Sequence, residues 1–306
     1  MSDTKRPEPF GRFLRQAYEW LSLPVALLYL CYSQRVDPRY RMSYLKRMRL
    51  GLRFWRNHRR IETGTSWRAH LVMAMHLLEL SPDTPGDVVE CGCWKGGATA
   101  NLSLICAITG RTLLVYDSFE GMPPPSRGDW VAERAFSGGF KPGQLQGTLD
   151  EVQRNVTRYG DLRACRFVPG WFSDSLPAHS SEIAMLFLDV DFCASLHDCL
   201  QHLWPRLRKG GYLFLDEYIL LPYCAVFFSE KYWSRYFNEA PPGLLGVGTG
   251  IQVGMYFTQL NALFQPGHAQ ASPASIAYSV KGTRALWDYY PDETAQSVDD
   301  PAPAAR

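Results

Sequence analysis

The chain has 306 residues, 46% of them hydrophobic and 20% charged, with a formal net charge of +2. Those figures describe one large or two small folded domains, and they exclude a mostly disordered chain, a collagen-like repeat and a polytopic membrane protein. A charge so close to neutrality also argues against a dedicated nucleic-acid binder.

The charge is unevenly spread. Residues 1–60 hold fourteen Lys and Arg against four Asp and Glu, so a basic amino-terminal region precedes a mildly acidic body. Residues 1–62 read as a helical extension punctuated by Pro24 and Pro38. Within it Trp20–Tyr32 is almost wholly apolar but shorter than the ~20 residues of a spanning helix, which leaves a buried helix or an interfacial anchor. From Arg39 to Arg60, cations interleave with Tyr44, Met48, Leu52 and Trp55 at the intervals of an amphipathic helix. Peripheral membrane contact through residues 12–60 and a homo-oligomer formed through these helices stand open beside the plainer reading, a solvated helical face. The eight cysteines form neither a disulfide framework nor a zinc-ligand cluster, which points to a reducing, cytoplasmic setting.

Ser66 or Thr65 caps a helix whose apolar stripe ends before Pro82. The period then changes. Asp87–Cys91 is a short apolar strand, Gly96–Thr109 a helix ended by Gly110, and Thr112–Tyr116 a second strand. A helix near Thr148–Tyr159 leads to strands at Cys165–Val168, Ile183–Val190 and Tyr212–Leu215, with a helix over Ala194–Leu207 between the last two. Strands apolar on both faces, alternating with helices, predict an α/β fold with a parallel sheet covered on both sides. Leu244–Val247 and Ile251–Thr258, flanking a Gly-Thr-Gly turn, predict a terminal antiparallel hairpin. The main domain is expected over residues 63–290, followed by a disordered tail at 291–306.

Three motifs carry chemistry. In VVECGCWKGGATA a strand ends at Glu90, a turn carries Gly92, and Gly96 opens a helix. Trp94 breaks the dinucleotide-binding glycine pattern, and an acid beside the loop suits a ligand bearing an ammonium group. Asp117 ends the second strand, where a carboxylate is placed to accept hydrogen bonds from ribose hydroxyls. The third motif is LFLDVDF followed by GYLFLDEY, which brings Asp189, Asp191, Asp216 and Glu217 to the carboxyl edge of a parallel sheet. Crowded carboxylates need cations or protons, and oxygen donors without His or Cys favour Mg²⁺. Asp189, Asp216 and Glu217 form the expected metal trio. Asp191, on the other parity of the strand, either supports the ion from behind or acts as a base.

The run from Thr65 to Thr258 resembles the macrocin O-methyltransferase family of S-adenosylmethionine (SAM) dependent enzymes. The matching signatures are VVECGCWKGG, YDSFEGMP, RFVPGWFSDSLP and LDVD followed by GGYLFLDE. The resemblance implies a Rossmann-like class I methyltransferase fold, a seven-stranded mostly parallel sheet with a terminal antiparallel hairpin. It implies that Glu90, Gly92 and Gly96 hold the methionine part of SAM, that Asp117 and Ser118 hold its ribose, and that Trp171 lies near the adenine or closes the pocket. It also implies a divalent ion on Asp189, Asp216 and Glu217, and methyl transfer to a hydroxylated small molecule, a sugar or polyketide-type natural product. Two departures from the family stand out. Glu217 replaces the usual second Asp, and residues 118–160 contain no His to serve as the loop base, so either the base comes from elsewhere, with Asp191 and His197 as candidates, or the acceptor loses its proton mainly through metal coordination. The rival readings are a SAM-binding scaffold that has lost catalysis and a membrane-peripheral regulatory protein.

Overall fold

A computed structural model describes residues 9–126, 129, 140–219, 221–245 and 276–284. The chain enters through two helices, α1 (Pro9–Tyr32) and α2 (Tyr44–His58), then α3 (Trp67–Glu79). Ser66 caps α3 by accepting a hydrogen bond from the Ala69 N–H at 3.2 Å, satisfying a donor that the first helical turn leaves unpaired. Strand β1 (Asp87–Cys91) leads to α4 (Gly97–Thr109), which Gly110 ends in a left-handed cap. Next come β2 (Leu113–Asp117), α5 (Leu149–Tyr159), β3 (Cys165–Pro169) and the single turn α6 (Phe172–Ser175). The remainder runs β4 (Ile183–Leu188), α7 (Cys193–Leu203), β5 (Leu207–Leu215), α8 (Leu221–Val226), α9 (Glu230–Phe237) and β6 (Ala277–Val280).

The sheet order is β3-β2-β1-β4-β5-β6, parallel except for β6, which pairs antiparallel with β5. Strand alternation divides the core into two layers. Val88, Leu113, Val115, Met185, Phe187 and Phe214 face α1 to α5, while Val89, Leu114, Leu186, Leu188, Leu213 and Leu215 face α7 to α9. Leu30 of α1 and Phe54 of α2 are fully buried in the first layer, each worth about 1.5–3 kcal/mol of apolar burial. The extension is therefore packed into the same core as the sheet.

The Rossmann-like, mostly parallel sheet is as expected, with one correction: among the described residues there are six strands, not seven. The antiparallel partner of β5 is Ala277–Val280, and Leu245, in the first arm of the expected hairpin, meets it through one bridge, donating to and accepting from Tyr278 at 2.7 and 2.9 Å. Ile251–Thr258 and the expected tail at 291–306 lie outside the described residues.

The strand order reverses between β1 and β4, the point at which ligands bind open α/β sheets. Gly92 sits there at φ +82°, and a Cβ on it would strike the carbonyl oxygen of Asp189. Both the backbone angle and the close approach demand glycine. Gly92→Ala is therefore expected to cost about 2–4 kcal/mol of stability, read as a lowered chemical-denaturation midpoint. A midpoint within error of the parent would contradict this crossing.

Candidate active site

The carboxyl ends of β1, β2, β4 and β5 open onto a cavity of about 560 Å³. Gly92, Asp117, Ser118, Trp171, Asp189, Asp191 and Asp216, all expected as site residues, line it. Glu90, Gly96 and Glu217 are not among its lining residues.

Asp117 straps two loops together. Its Oδ2 accepts from the Cys93 N–H at 2.7 Å and its Oδ1 from the Phe119 N–H at 2.8 Å. A carboxylate oxygen holds more than one lone pair, so the group retains acceptor capacity towards the cavity. Ser118 makes a local turn instead, donating to the Gly121 carbonyl and accepting from the Glu120 N–H, both at 3.1 Å. Glu90 lies wholly buried, and neither of its carboxylate oxygens has a hydrogen-bond partner. Burial pushes its carboxyl up to about 8, with the nearby Thr99 hydroxyl pulling the other way and Asp117 adding to the rise. Thr99 does so without reaching hydrogen-bond geometry.

The acid cluster differs from expectation in one member. Oxygens of Asp189, Asp191 and Glu217 lie within 4.8 Å of one another, so Asp191 joins the trio, while Asp216 stands on the same cavity wall. The physical reason is that β4 ends at Leu188, and strand alternation no longer governs the residues beyond it. Asp191 adopts a left-handed φ of +57°, which turns it back towards its neighbours. Glu217 imposes that turn: its Oε1 accepts from the Val190 and Asp191 N–H groups, each at 2.6 Å. Tyr223 completes the clamp by donating to the Asp191 carbonyl. The other Glu217 oxygen, Oε2, is buried with no partner.

Electrostatics follow from this crowding. Burial, then repulsion from Asp191, pushes Asp216 up to about 7, and burial pushes Asp191 up to about 6. Asp189 and Glu217 are raised too, by burial first and by the surrounding acids second.

Other residues enter the site without an advance signal in the sequence. Asp129, buried, accepts from the Ser126 and Ala194 N–H groups and so fastens the loop after β2 to the start of α7. Phe140 packs edge-on against Phe192, with ring centroids 6.3 Å apart, and both line the cavity. His197 is not a cavity residue; its Nδ1 pairs with the Tyr232 hydroxyl at 2.7 Å and its ring packs on Tyr232 and Tyr236. Trp67, fully buried, is a core residue.

The model of the macrocin-O-methyltransferase (TylF) family matches residues 63–239, more than half of the chain. The chain belongs to the macrocin-O-methyltransferase family. It is 38% identical over 146 residues to a tetracenomycin 4'-O-methyltransferase of Streptomyces olivaceus, covering 46% of this chain and 56% of that protein. It is 33% identical over 177 residues to demethyldecarbamoylnovobiocin O-methyltransferase of Streptomyces niveus, covering 53% and 68%. It is 38% identical over 152 residues to mycinamicin III 3''-O-methyltransferase of Micromonospora griseorubida, covering 47% and 59%. The aligned parts thus span little more than half of two of these relatives. Among solved structures, the O-methyltransferase NovP superposes with a TM-score of 0.53 at 26% identity, covering 87% of this chain and all of that one.

Members of the macrocin-O-methyltransferase family are SAM-dependent, and the cavity fits SAM. Its volume falls in the range of small-molecule sites, and Asp117 offers a carboxylate acceptor at the end of β2. The acid cluster fits a divalent cation by its all-oxygen donors and the orphaned Oε2 of Glu217, an atom that is costly to leave without a counter-charge.

Glu90 yields a prediction about stability. A carboxyl raised from 4.5 to about 8 on folding binds more protons folded than unfolded between those values, so stability declines as pH rises through that window. Relative to Glu90→Gln, the parent should lose roughly 2–4 kcal/mol of unfolding free energy between pH 5 and pH 9. Parallel stability curves for the two proteins, measured by denaturant titration across that range, would show that Glu90 ionises freely.

Proposed function

We propose that this chain transfers a methyl group from SAM to a hydroxyl of a small molecule, a sugar or polyketide-type natural product, with a divalent cation such as Mg²⁺ assisting. The observation that carries the reading is the meeting, in one cavity at the reversal of strand order, of Asp117 with the acids of β4 and β5. Support for the acceptor class comes from the relatives, each named as an O-methyltransferase of such a compound.

When bound, SAM supplies an electrophilic methyl and the cation a Lewis acid that makes a hydroxyl more acidic. The protein contributes alignment, which accounts for roughly 7–11 kcal/mol of barrier reduction in well-oriented reactions. In this reading Asp117 accepts the ribose hydroxyls, the Gly92 turn allows the ligand close to the backbone, and Trp171 walls the adenine side. Asp189, Asp216 and Glu217, joined by Asp191, hold the cation. Asp191 is also the candidate base, since its carboxylate stands on the cavity wall beside the other acids, where a hydroxyl proton could be taken up. Phe140 and Phe192 keep water from the reacting atoms.

The test is methyl transfer from labelled SAM to a panel of hydroxylated acceptors, with titration calorimetry for SAM. Asp189→Ala should lower metal-dependent turnover by about 100-fold or more while changing SAM affinity less than about threefold. Asp117→Ala should weaken SAM by about tenfold or more. Undiminished turnover in the first variant would reject the metal assignment, and SAM binding weaker than millimolar in the parent would reject the reading as a whole.

A further inference from the structure

Nine of the thirteen large apolar side chains exposed among the described residues lie on α1 and α2. On α1, Leu21, Val25, Leu28 and Tyr32 follow one another at helical spacing along the outer face, and Leu21, Leu28 and Tyr32 are 68%, 57% and 65% exposed. No charged residue interrupts Trp20–Tyr32, so about half of an almost wholly apolar stretch faces solvent rather than protein. On α2, Tyr44, Leu45 and Met48 extend the same surface. Aromatic pairs close the seam between the helices at both ends, Trp20 on Trp55 and Tyr32 on Tyr44, with centroids 5.0 and 5.5 Å apart.

A row of cations borders this surface. Lys46, Arg49, Arg53 and Arg56 fall on one stripe of α2 and are exposed, as is Arg60 just past its end, and α2 contains no acidic residue at all. Arg59 lies on the seam itself, its guanidinium 5.5 and 5.0 Å from the ring centroids of Trp20 and Trp55. Apolar and aromatic side chains beside long cationic ones match the interface of a bilayer, where tails accept the first and headgroups the second. None of the described helices is long and apolar enough to cross a membrane, so the pair would lie on the surface. The family match begins at residue 63, so the methyltransferase core alone does not account for this face.

We propose that the outer face of the α1–α2 pair docks onto a lipid bilayer carrying anionic headgroups. Charge complementarity selects this occupant. A second copy seated on the same patch would bring its own cationic row to the contact, and a nucleic acid would leave the apolar row in water. The proposal is independent of the methyl-transfer reading.

The experiment is co-sedimentation of the full chain with phosphatidylcholine vesicles, with and without about a quarter phosphatidylglycerol, at low and high salt. The expected result is binding to the anionic vesicles that weakens in high salt and falls about tenfold or more on pure phosphatidylcholine. Leu21→Glu combined with Leu28→Glu should abolish it, and Arg49→Glu combined with Arg56→Glu should reduce it at least about tenfold. Both pairs lie on exposed positions, and an unchanged thermal melt establishes that each variant is folded. Absence of binding to anionic vesicles overturns the proposal. So does binding indifferent to the charge reversals, or retention only on a polyanion such as heparin. A stable dimer by light scattering that Leu21→Glu with Leu28→Glu splits into monomers would reassign the face to self-association.

Discussion

Four carboxylates packed at the reversal point of a parallel sheet cannot all remain ionised without a counter-charge, and most of the site follows from that constraint. Each acid is raised above its ordinary value by burial and, for Asp189, Asp216 and Glu217, by its neighbours. Protons can relieve the repulsion, but a divalent ion relieves it while leaving the oxygens free to coordinate. Glu217 has the geometry such an ion would need. One of its oxygens is committed to two backbone N–H groups, which fixes the carboxylate plane, and the other is left buried and unpartnered.

The second support is the meeting of loops above β1 and β2. Asp117 ties the turn after β1 to the turn after β2, and Gly92 lets that first turn pass over Asp189. Trp94, Phe119 and Asp191 all carry positive φ values around this corner. Strained non-glycine residues concentrated at one place are characteristic of sites that the surrounding structure holds in a preset shape. Preset donors and acceptors are what an in-line displacement requires, because little of the barrier is left for side-chain reorganisation to remove.

Five strands were legible because their apolar runs are short, bounded by turns and buried on both faces. The acids at their ends were legible for the same reason: a strand end fixes where a residue lies. What happens just past a strand end was not. Two-residue alternation put Asp191 on the wrong side because nothing local announces that β4 stops at Leu188 and that Glu217, far along the chain, bends the next turn. Glu90 was recognised as the acid of the glycine motif, but strand parity alone did not reveal that its side chain is enclosed below the cavity. The partner of β5, the short AYSV run at 277–280, was not legible because four residues carry too little alternation to announce a strand. Asp129 and Phe140 were illegible for a different reason. Their places are set by contacts with Ala194 and Phe192 rather than by periodicity.

The amino-terminal helices are joined to the cavity by more than apolar packing. The His70 side chain, fully buried with its ring held neutral by a value pushed down to about 3, accepts at Nδ1 from the Asn101 amide at 2.9 Å. That requires the proton on Nε2, which then donates to the Thr65 hydroxyl at 2.7 Å. Asn101 in turn accepts from the Asn57 amide of α2 at 2.8 Å, and Asn57 also donates to the Tyr159 carbonyl at the end of α5. Each link is buried and satisfied, so loosening any one leaves a polar group stranded at a cost of about 1–3 kcal/mol. The chain of bonds runs from α2 through α4 to the segment beside Gly64, which lines the cavity. The bonds that seat α2 on α4 therefore also seat the segment that walls the site, so α2 cannot shift without leaving buried polar groups of that chain unpaired.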